Sequence, residues 1–421
     1  METKLTTCLA LITALLTHKL SLAIADYTRV TNTSLSSGLS LRLTSSHEGP
    51  SYSTRRGSDG FLYLKHSLNT SVASITPIPE DNSGGGLMGL IIGTGLAQHR
   101  YILKADATSR LTWIQCEPCV PHAPQWGPIY SPNGGHIYSK SYRPIAASNS
   151  ACKPERGMEP AGGGRVIPNL ILGCAHSTEN FQNRGKYAGV AALSQSPASL
   201  TMQLAAWGMP RFSYCLTKGT SRRGFLRFGT DVPHNSRYQA TRILPALDAS
   251  EAAYYVDLVG VSLGERRLDR IHPQMFARGK DGEGGTLIDL GTPVTVMVEE
   301  AYRVVEETMW SELKENGAER VEHLGYGLCV RVTEVVKGRL QSLSLHFAEE
   351  EEATLVVSPR QLFLMMEDER AGQITCLAMV PGRRTVIGAL QQVDTRLVFN
   401  LKDSKILFAP ESCIEDTDPD V

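Results

Sequence analysis

Hydrophobic positions along this chain fall in short runs rather than long stripes. Residues 87–92, 101–103, 111–114 and 167–172 are apolar stretches separated by turn formers, and strand-like patterns recur from Phe225 onward. The clearest is Leu343-Ser344-Leu345-His346-Phe347, whose alternation predicts a strand with one face buried. One segment has the helical period instead. From Val298 to Leu313, Ala301, Val305, Met309 and Leu313 share a stripe that Glu299, Glu306 and Glu312 avoid, and Asn316-Gly317 supplies a stop. The pattern predicts a chain built mainly of short strands, with one long helix.

Composition narrows the picture. At 421 residues the chain is long enough for two domains, and 38 glycines and 22 prolines fit many turns. Only 20% of residues are charged and the formal net charge is −1, which gives no electrostatic handle for nucleic acid or a charged membrane surface. The N-terminus predicts a cleaved signal peptide over residues 1–25: Lys4, an apolar run over 5–16, then Leu22-Ala23-Ile24-Ala25 before Asp26. Lys19 leaves that run too short to span a bilayer. Residues 26–83 are rich in Ser and Thr, hold the glycosylation sequons Asn32 and Asn69, and lead into a predicted flexible joint at 81–86.

An exported chain changes the meaning of its cysteines. Without Cys8, eight remain, an even number that favours disulfides in an oxidising compartment. Cys116-x-x-Cys119 has only His122 nearby for a zinc site. Pro118, Pro121 and Pro124 forbid the helix that a redox motif needs, so a structural disulfide is expected there. Gly84-x-Gly86-x-x-Gly89 matches a dinucleotide fingerprint only in letters. The run at 349–352 is expected at a solvated hairpin tip rather than at a metal. H-E-x-x-H, G-x-S-x-G and Walker motifs are missing from the sequence, and no cofactor or metal is expected.

Two aspartates sit in matched settings. Asp289 follows an apolar run onto a glycine turn in Gly285-Thr286-Leu287-Ile288-Asp289-Leu290-Gly291-Thr292, and Asp106 opens Asp106-Ala107-Thr108-Ser109. Either alone reads as a turn former. Their context differs. Leu111-Thr112-Trp113-Ile114-Gln115-Cys116-Glu117-Pro118-Cys119 resembles the segment after the first catalytic aspartate of nepenthesin-like aspartic proteases, and 285–289 resembles the approach to the second. Further landmarks follow in family order: residues 87–93, 169–174, 211–216 (Arg-Phe-Ser-Tyr-Cys-Leu), 254–256, 386–392 and 408–410.

The resemblance implies an all-β, bilobal pepsin-like fold with a cleft between two antiparallel lobes, 84–222 and 223–415, a propeptide at 26–83 and a tail at 416–421. It implies catalytic Asp106 and Asp289 sharing a proton: one ionised to take a proton from water, the other protonated to serve the carbonyl oxygen. It pairs Cys116 with Cys119, Cys215 with Cys413 and Cys329 with Cys376, and leaves Cys152 for Cys174. A polypeptide substrate, a monomer, and a secreted protein with the vacuole as alternative destination complete the expectation.

Departures from the family pattern are as informative. The hydroxyl that follows each aspartate and braces the pair is replaced by Ala107 and Leu290. Thr108 stands where the family has glycine, so strain or displacement of the loop is expected. Ser109 and Thr292 remain to bond the outer carboxylate oxygens. Between 146 and 165 there is no tyrosine, as though the flap that closes over substrate were deleted. These features set an aspartic endopeptidase against an impaired homologue that binds peptides or inhibits glycosidases.

Overall fold

A computed structural model describes residues 39–44, 78–79, 86–87, 89–94, 99–125, 129–130, 143–144, 158–162, 171–178, 187–217, 224–248, 251–279, 283–323, 325–349 and 353–415. The expected signal peptide, the joint at 81–85 and Cys152 lie outside them. Among the described residues the fold is mostly β, as expected, with four sheets of four or more strands. The largest, of 13 strands, runs from Gln239–Arg242 through Lys405–Pro410, Thr395–Asn400, Arg211–Cys215 and Gly224–Phe228 to Leu39–Thr44. It continues through Gly89–Thr94 and His99–Asp106 into the first lobe.

The two lobes repeat one arrangement. In the first, His99–Asp106 runs parallel to Gly189–Ala192, whose other side pairs antiparallel with Trp113–Gln115. Trp113–Gln115 in turn runs parallel to Ile171–Ala175. In the second, Thr286–Ile288 runs parallel to Thr385–Ile387, which pairs antiparallel with Thr295–Val298. Thr295–Val298 then runs parallel to Met379–Gly382. Each lobe therefore delivers its aspartate from the end of a strand held by a parallel neighbour. Thr286–Ile288 is buried throughout and reads as an apolar run, whereas His99–Asp106 buries Tyr101, Leu103 and Ala105 and leaves Lys104 and Asp106 half-buried on its other face.

The lobes meet through Arg211–Cys215 and Thr395–Asn400, paired antiparallel within the large sheet. Phe212 stacks on Phe399 with centroids 4.5 Å apart, and Tyr254 packs 4.7 Å from Phe399. Burial of such large rings contributes on the order of 2–3 kcal/mol each.

The helix lies at Glu299–Glu315 with Ala301, Val305, Met309 and Leu313 buried. It ends at Asn316, after which Gly317 takes a left-handed φ of 79°. Leu343–Phe347 is a strand, but all five of its residues are buried rather than alternate ones. It is central in its sheet, between Leu258–Leu263 and Ala353–Val357. Its polar His346 is satisfied there by Ser262 Oγ at 2.7 Å and Thr354 Oγ1 at 3.1 Å. Leu343–Phe347 pairs antiparallel with Ala353–Val357, and Glu349, the described part of the acidic run, accepts from Arg242 N–H at 2.6 Å; residues 350–352 lie outside the described residues.

Disulfides join Cys215 to Cys413 and Cys329 to Cys376, as expected. The expected Cys116–Cys119 pair does not form. Cys116 bonds Cys174 instead, and Cys119 is a buried free thiol. The reason is strand register. Gln115 pairs with Ala175, and Cys116 N–H donates to Ala175 O at 3.0 Å, which brings the Cys116 and Cys174 Cα atoms to 5.2 Å. Cys119 lies beyond Pro118, its Sγ 3.9 Å from the Pro121 carbonyl oxygen.

Candidate functional site

Both aspartates stand at strand ends, and the two loops that carry them touch. Tyr101, Leu103 and Ala105 point into the core from His99–Asp106, while Lys104 and Asp106 take the opposite face. The strand stops against its parallel neighbour, where Leu193 N–H donates to the Asp106 carbonyl at 2.8 Å. The chain then turns through buried Ala107 and exposed Thr108.

In the second lobe Thr286–Ile288 is wholly buried, and Asp289 N–H donates to Ile387 O at 3.1 Å. Gln392 locks this end. Its Nε2 donates to the carbonyls of Asp289 (3.2 Å) and Ile387 (2.7 Å), while its Oε1 accepts from Tyr214 OH at 2.6 Å. Tyr214 belongs to the strand Arg211–Cys215 at the lobe junction. One glutamine therefore ties the Asp289 loop to the sheet shared by the lobes.

The carboxylates take three hydrogen bonds each, from different sources. Asp106 Oδ1 accepts from Thr108 N (2.9 Å), Thr108 Oγ1 (2.6 Å) and Ser109 N (2.9 Å), all in its own loop. Asp289 Oδ1 accepts from Gly291 N (2.9 Å) and, across the junction, from Ala107 N (2.9 Å). Its Oδ2 accepts from Thr292 Oγ1 at 2.7 Å. Glycine at 291 permits a close approach: a Cβ there would stand 3.1 Å from Ala105 O and from Asp106 Cα and Cγ, so the neighbours would have to give. The two loops meet backbone against backbone.

Electrostatics separates the pair. Burial works to raise the Asp106 carboxyl, but the Lys104 ammonium and the Thr108 and Ser109 hydrogen bonds outweigh it and hold it below the ordinary value. Asp289 is 3% exposed. Burial, and then the Asp106 charge, push its carboxyl up to about 6 against the opposing hydrogen bonds. Between those limits the pair carries one proton and one negative charge, the state general acid–base chemistry needs. Such coupled groups titrate in two steps that belong to the pair.

The structure brings Asp106 and Asp289 together, and it revises three expectations about their loops. The missing brace is replaced in part by the Ala107 backbone N–H, which reaches the partner carboxylate directly. Thr108 keeps a negative φ, since Asp394 and Ser404 are the positive-φ non-glycine residues among those described. It fits without backbone strain and adds a hydroxyl donor. Ser109 contributes its backbone N–H to Asp106, whereas Thr292 acts through its side chain as expected. Most of the interval expected to lack a flap lies outside the described residues. Its described part is the strand Met158–Gly162, paired with Arg143–Pro144 and Ile171–Ala175. Lys104 and the role of Gln392 were missed. For Lys104 the signal was there: a lysine two residues before an aspartate on a strand shares its face.

Comparison with known proteins agrees with the fold. A family model described as xylanase inhibitor N-terminal matches residues 155–230, and one described as xylanase inhibitor C-terminal matches 253–410. The chain is 28% identical over 395 residues to aspartic proteinase nepenthesin-1 of Nepenthes gracilis, with 85% of this chain and 84% of that protein covered. It is 25% identical over 370 residues to aspartyl protease family protein 2 of Arabidopsis thaliana, covering 79% and 72%. Its fold matches the crystal structure of basic 7S globulin from soybean with a TM-score of 0.61 at 18% identity, over 82% of this chain and 99% of that one. The crystal structure of edgp matches with a TM-score of 0.64 at 20% identity, over 82% and 95%.

Proposed function

We propose that this chain, which belongs to the nepenthesin-like, pepsin-type family of plant aspartic proteases as a divergent member, is an endopeptidase working through Asp106 and Asp289. The observation that carries the reading is the contact between the two loops. Ala107 N–H holds the Asp289 carboxylate, and Gly291 lets the Asp106 backbone approach. Asp106, ionised, takes a proton from the water that attacks the scissile carbonyl. Asp106 Oδ1 already accepts three hydrogen bonds, so Oδ2 is the oxygen for that proton. Asp289, protonated, donates to the carbonyl oxygen and later helps the amine leave. No covalent intermediate forms, and a polypeptide is the substrate.

The test is cleavage of a denatured protein from pH 2 to 7 by the purified, acid-matured chain beside Asp289→Asn. Acid-dependent cleavage lost in the variant supports the pair. No cleavage by a folded wild-type chain ends the enzyme reading. Ala107 and Leu290, which lack the bracing hydroxyls, and the family models described as xylanase inhibitor favour a second one. In it the chain binds a polypeptide or a glycosidase without turnover, and inhibition of a xylanase by the inactive chain would support it.

The same reading places the protein on the secretory route, extracellular or vacuolar, as a monomer. Residues 1–25 would be its signal and 26–83 its propeptide, carrying both sequons away on maturation. The lobes would be 84–222 and 223–415. Three disulfides suit an oxidising compartment. Among the described residues no helix is long and apolar enough to cross a membrane. The strand Leu39–Thr44 falls within the proposed propeptide, paired with both Gly224–Phe228 and Gly89–Thr94. Mass spectrometry of the secreted protein would locate both cleavages.

A further inference from the structure

The centre contains a cation that two-carboxylate chemistry does not require. Lys104 Nζ lies 3.6 Å from Asp106 Oδ2, with side chains 26% and 14% exposed. Hydrogen bonding alone would not decide which aspartate ionises, because each carboxylate accepts three. What separates them is deeper burial of Asp289 and the ammonium beside Asp106.

Other charges do not compete. The neighbouring strands Gly189–Ala192 and Gly89–Thr94 contain no ionisable residue. The facing loop offers Leu290, Gly291 and Thr292 besides Asp289 itself. Arg110, on the Asp106 loop, makes no ion pair with Asp106 among the described residues. Tyr214, tied through Gln392 to the Asp289 backbone, is kept neutral by burial and by the Asp289 charge, which push its hydroxyl well above the usual value.

We propose that Lys104 is a positioning residue of this centre, fixing Asp106 as the ionised member of the pair and Asp289 as the member that keeps the proton. An opposite charge within this distance favours the charged carboxylate, and partial exposure moderates the effect. The assignment of base to Asp106 and acid to Asp289 follows from it. That catalytic consequence rests on the proposed proteolysis, whereas the order of ionisation does not.

The test follows the aspartate carboxyl carbons by 13C NMR from pH 2 to 8 in the wild-type chain, Lys104→Met and Lys104→Arg. In the wild type and in Lys104→Arg the Asp106 carbon should carry the lower step. In Lys104→Met that step should rise by about half to one pH unit and be shared by both carbons. A folded Lys104→Met chain in which Asp106 still carries the lower step at unchanged pH overturns the proposal. Should the methionine variant not fold, Lys104→Gln, with a neutral polar head, answers the same question. Where the chain cleaves protein, the acid limb of kcat/KM should move up by the same amount in Lys104→Met and return in Lys104→Arg. A wild type that does not cleave ends the proteolysis reading, and the titration still judges Lys104.

Discussion

The two aspartate loops begin alike and end differently. Each follows a strand held by a parallel neighbour, and each carboxylate accepts three hydrogen bonds. The Asp106 loop supplies all three from Thr108 and Ser109, so it orders its carboxylate alone. The Asp289 loop supplies two and depends on Ala107 N–H for the third. Asp106 is partly open with a lysine beside it, whereas Asp289 is closed off and tethered through Gln392. One architecture thus produces a self-sufficient site and a dependent one. Apolar surroundings and a single cation, rather than the turn itself, decide which carboxyl keeps a proton.

The largest effect expected from breaking this arrangement is on turnover. Asp106→Asn should lower kcat/KM by roughly 10²–10⁴-fold, the usual worth of a positioned acid or base. The amide oxygen of the substituted side chain can still accept from Thr108 and Ser109, so the fold should persist by circular dichroism. Full activity in this variant would remove Asp106 from the chemistry.

Stability should separate the two sites by sign. The Asp289 carboxyl is raised from 3.8 to about 6 in the folded chain. Its contribution is therefore fully present below about pH 4 and is lost as pH rises through about 6. That gap of about two pH units corresponds to ~3 kcal/mol at most, to order of magnitude. Asp289→Asn should be more stable than wild type at pH 7 and lose that advantage at pH 4. The Asp106 carboxyl is lowered, so its contribution is present above the ordinary value and fades as pH falls through the lowered one. Asp106→Asn should accordingly be the less stable chain at pH 7. Urea unfolding at the two pH values checks both, and equal responses would mean that the environments do not differ.

Much of this was legible in the sequence, for reasons that can be named. The all-β architecture showed in short apolar runs, and the helix in a stripe that the structure buries whole. Asp289 stood out because an apolar run delivers it onto a glycine turn, and Asp106 because the segment after it, residues 111–119, resembles the family pattern. The Cys116–Cys174 bond was not legible. It depends on a parallel register between strands nearly sixty positions apart, whereas Cys119 merely looked close. The Ala107 bond was hidden for a different reason: a backbone N–H leaves no mark in the identity of its residue. Lys104 was visible and overlooked, a charge on the same strand face as the aspartate it neutralises.

Gly291→Ala tests how closely the loops must approach. The new methyl would stand 3.1 Å from the Ala105 carbonyl oxygen and the Asp106 Cα, which are backbone, and from the Asp106 carboxyl carbon, whose side chain is held by three hydrogen bonds. Pushing the loops apart should cost on the order of 1–3 kcal/mol, as overpacking does. It should also weaken the Ala107 bond to Asp289. A variant with unchanged stability and unchanged pH dependence would show that the loops have room to spare.

Thr108→Val probes the smallest of these differences, the self-sufficiency of the Asp106 loop. Valine has the shape of threonine but loses the hydroxyl that donates to Asp106 Oδ1 at 2.6 Å. The two backbone donors, Thr108 N and Ser109 N, stay in place because neither depends on the side chain. A hydrogen bond to a charged group contributes roughly 1.5–3 kcal/mol in the interior. Thr108 is exposed, so water takes over part of the role and the loss should fall to about 1 kcal/mol or less. The Asp106 carboxyl should rise slightly toward its ordinary value, because a donor that favoured its ionised form is gone. The Asp289 titration should stay where it is, since its donors come from Ala107, Gly291 and Thr292. If both carboxyls move together, the Asp106 loop is not self-sufficient, and the division into an independent and a dependent site gives way to one shared network.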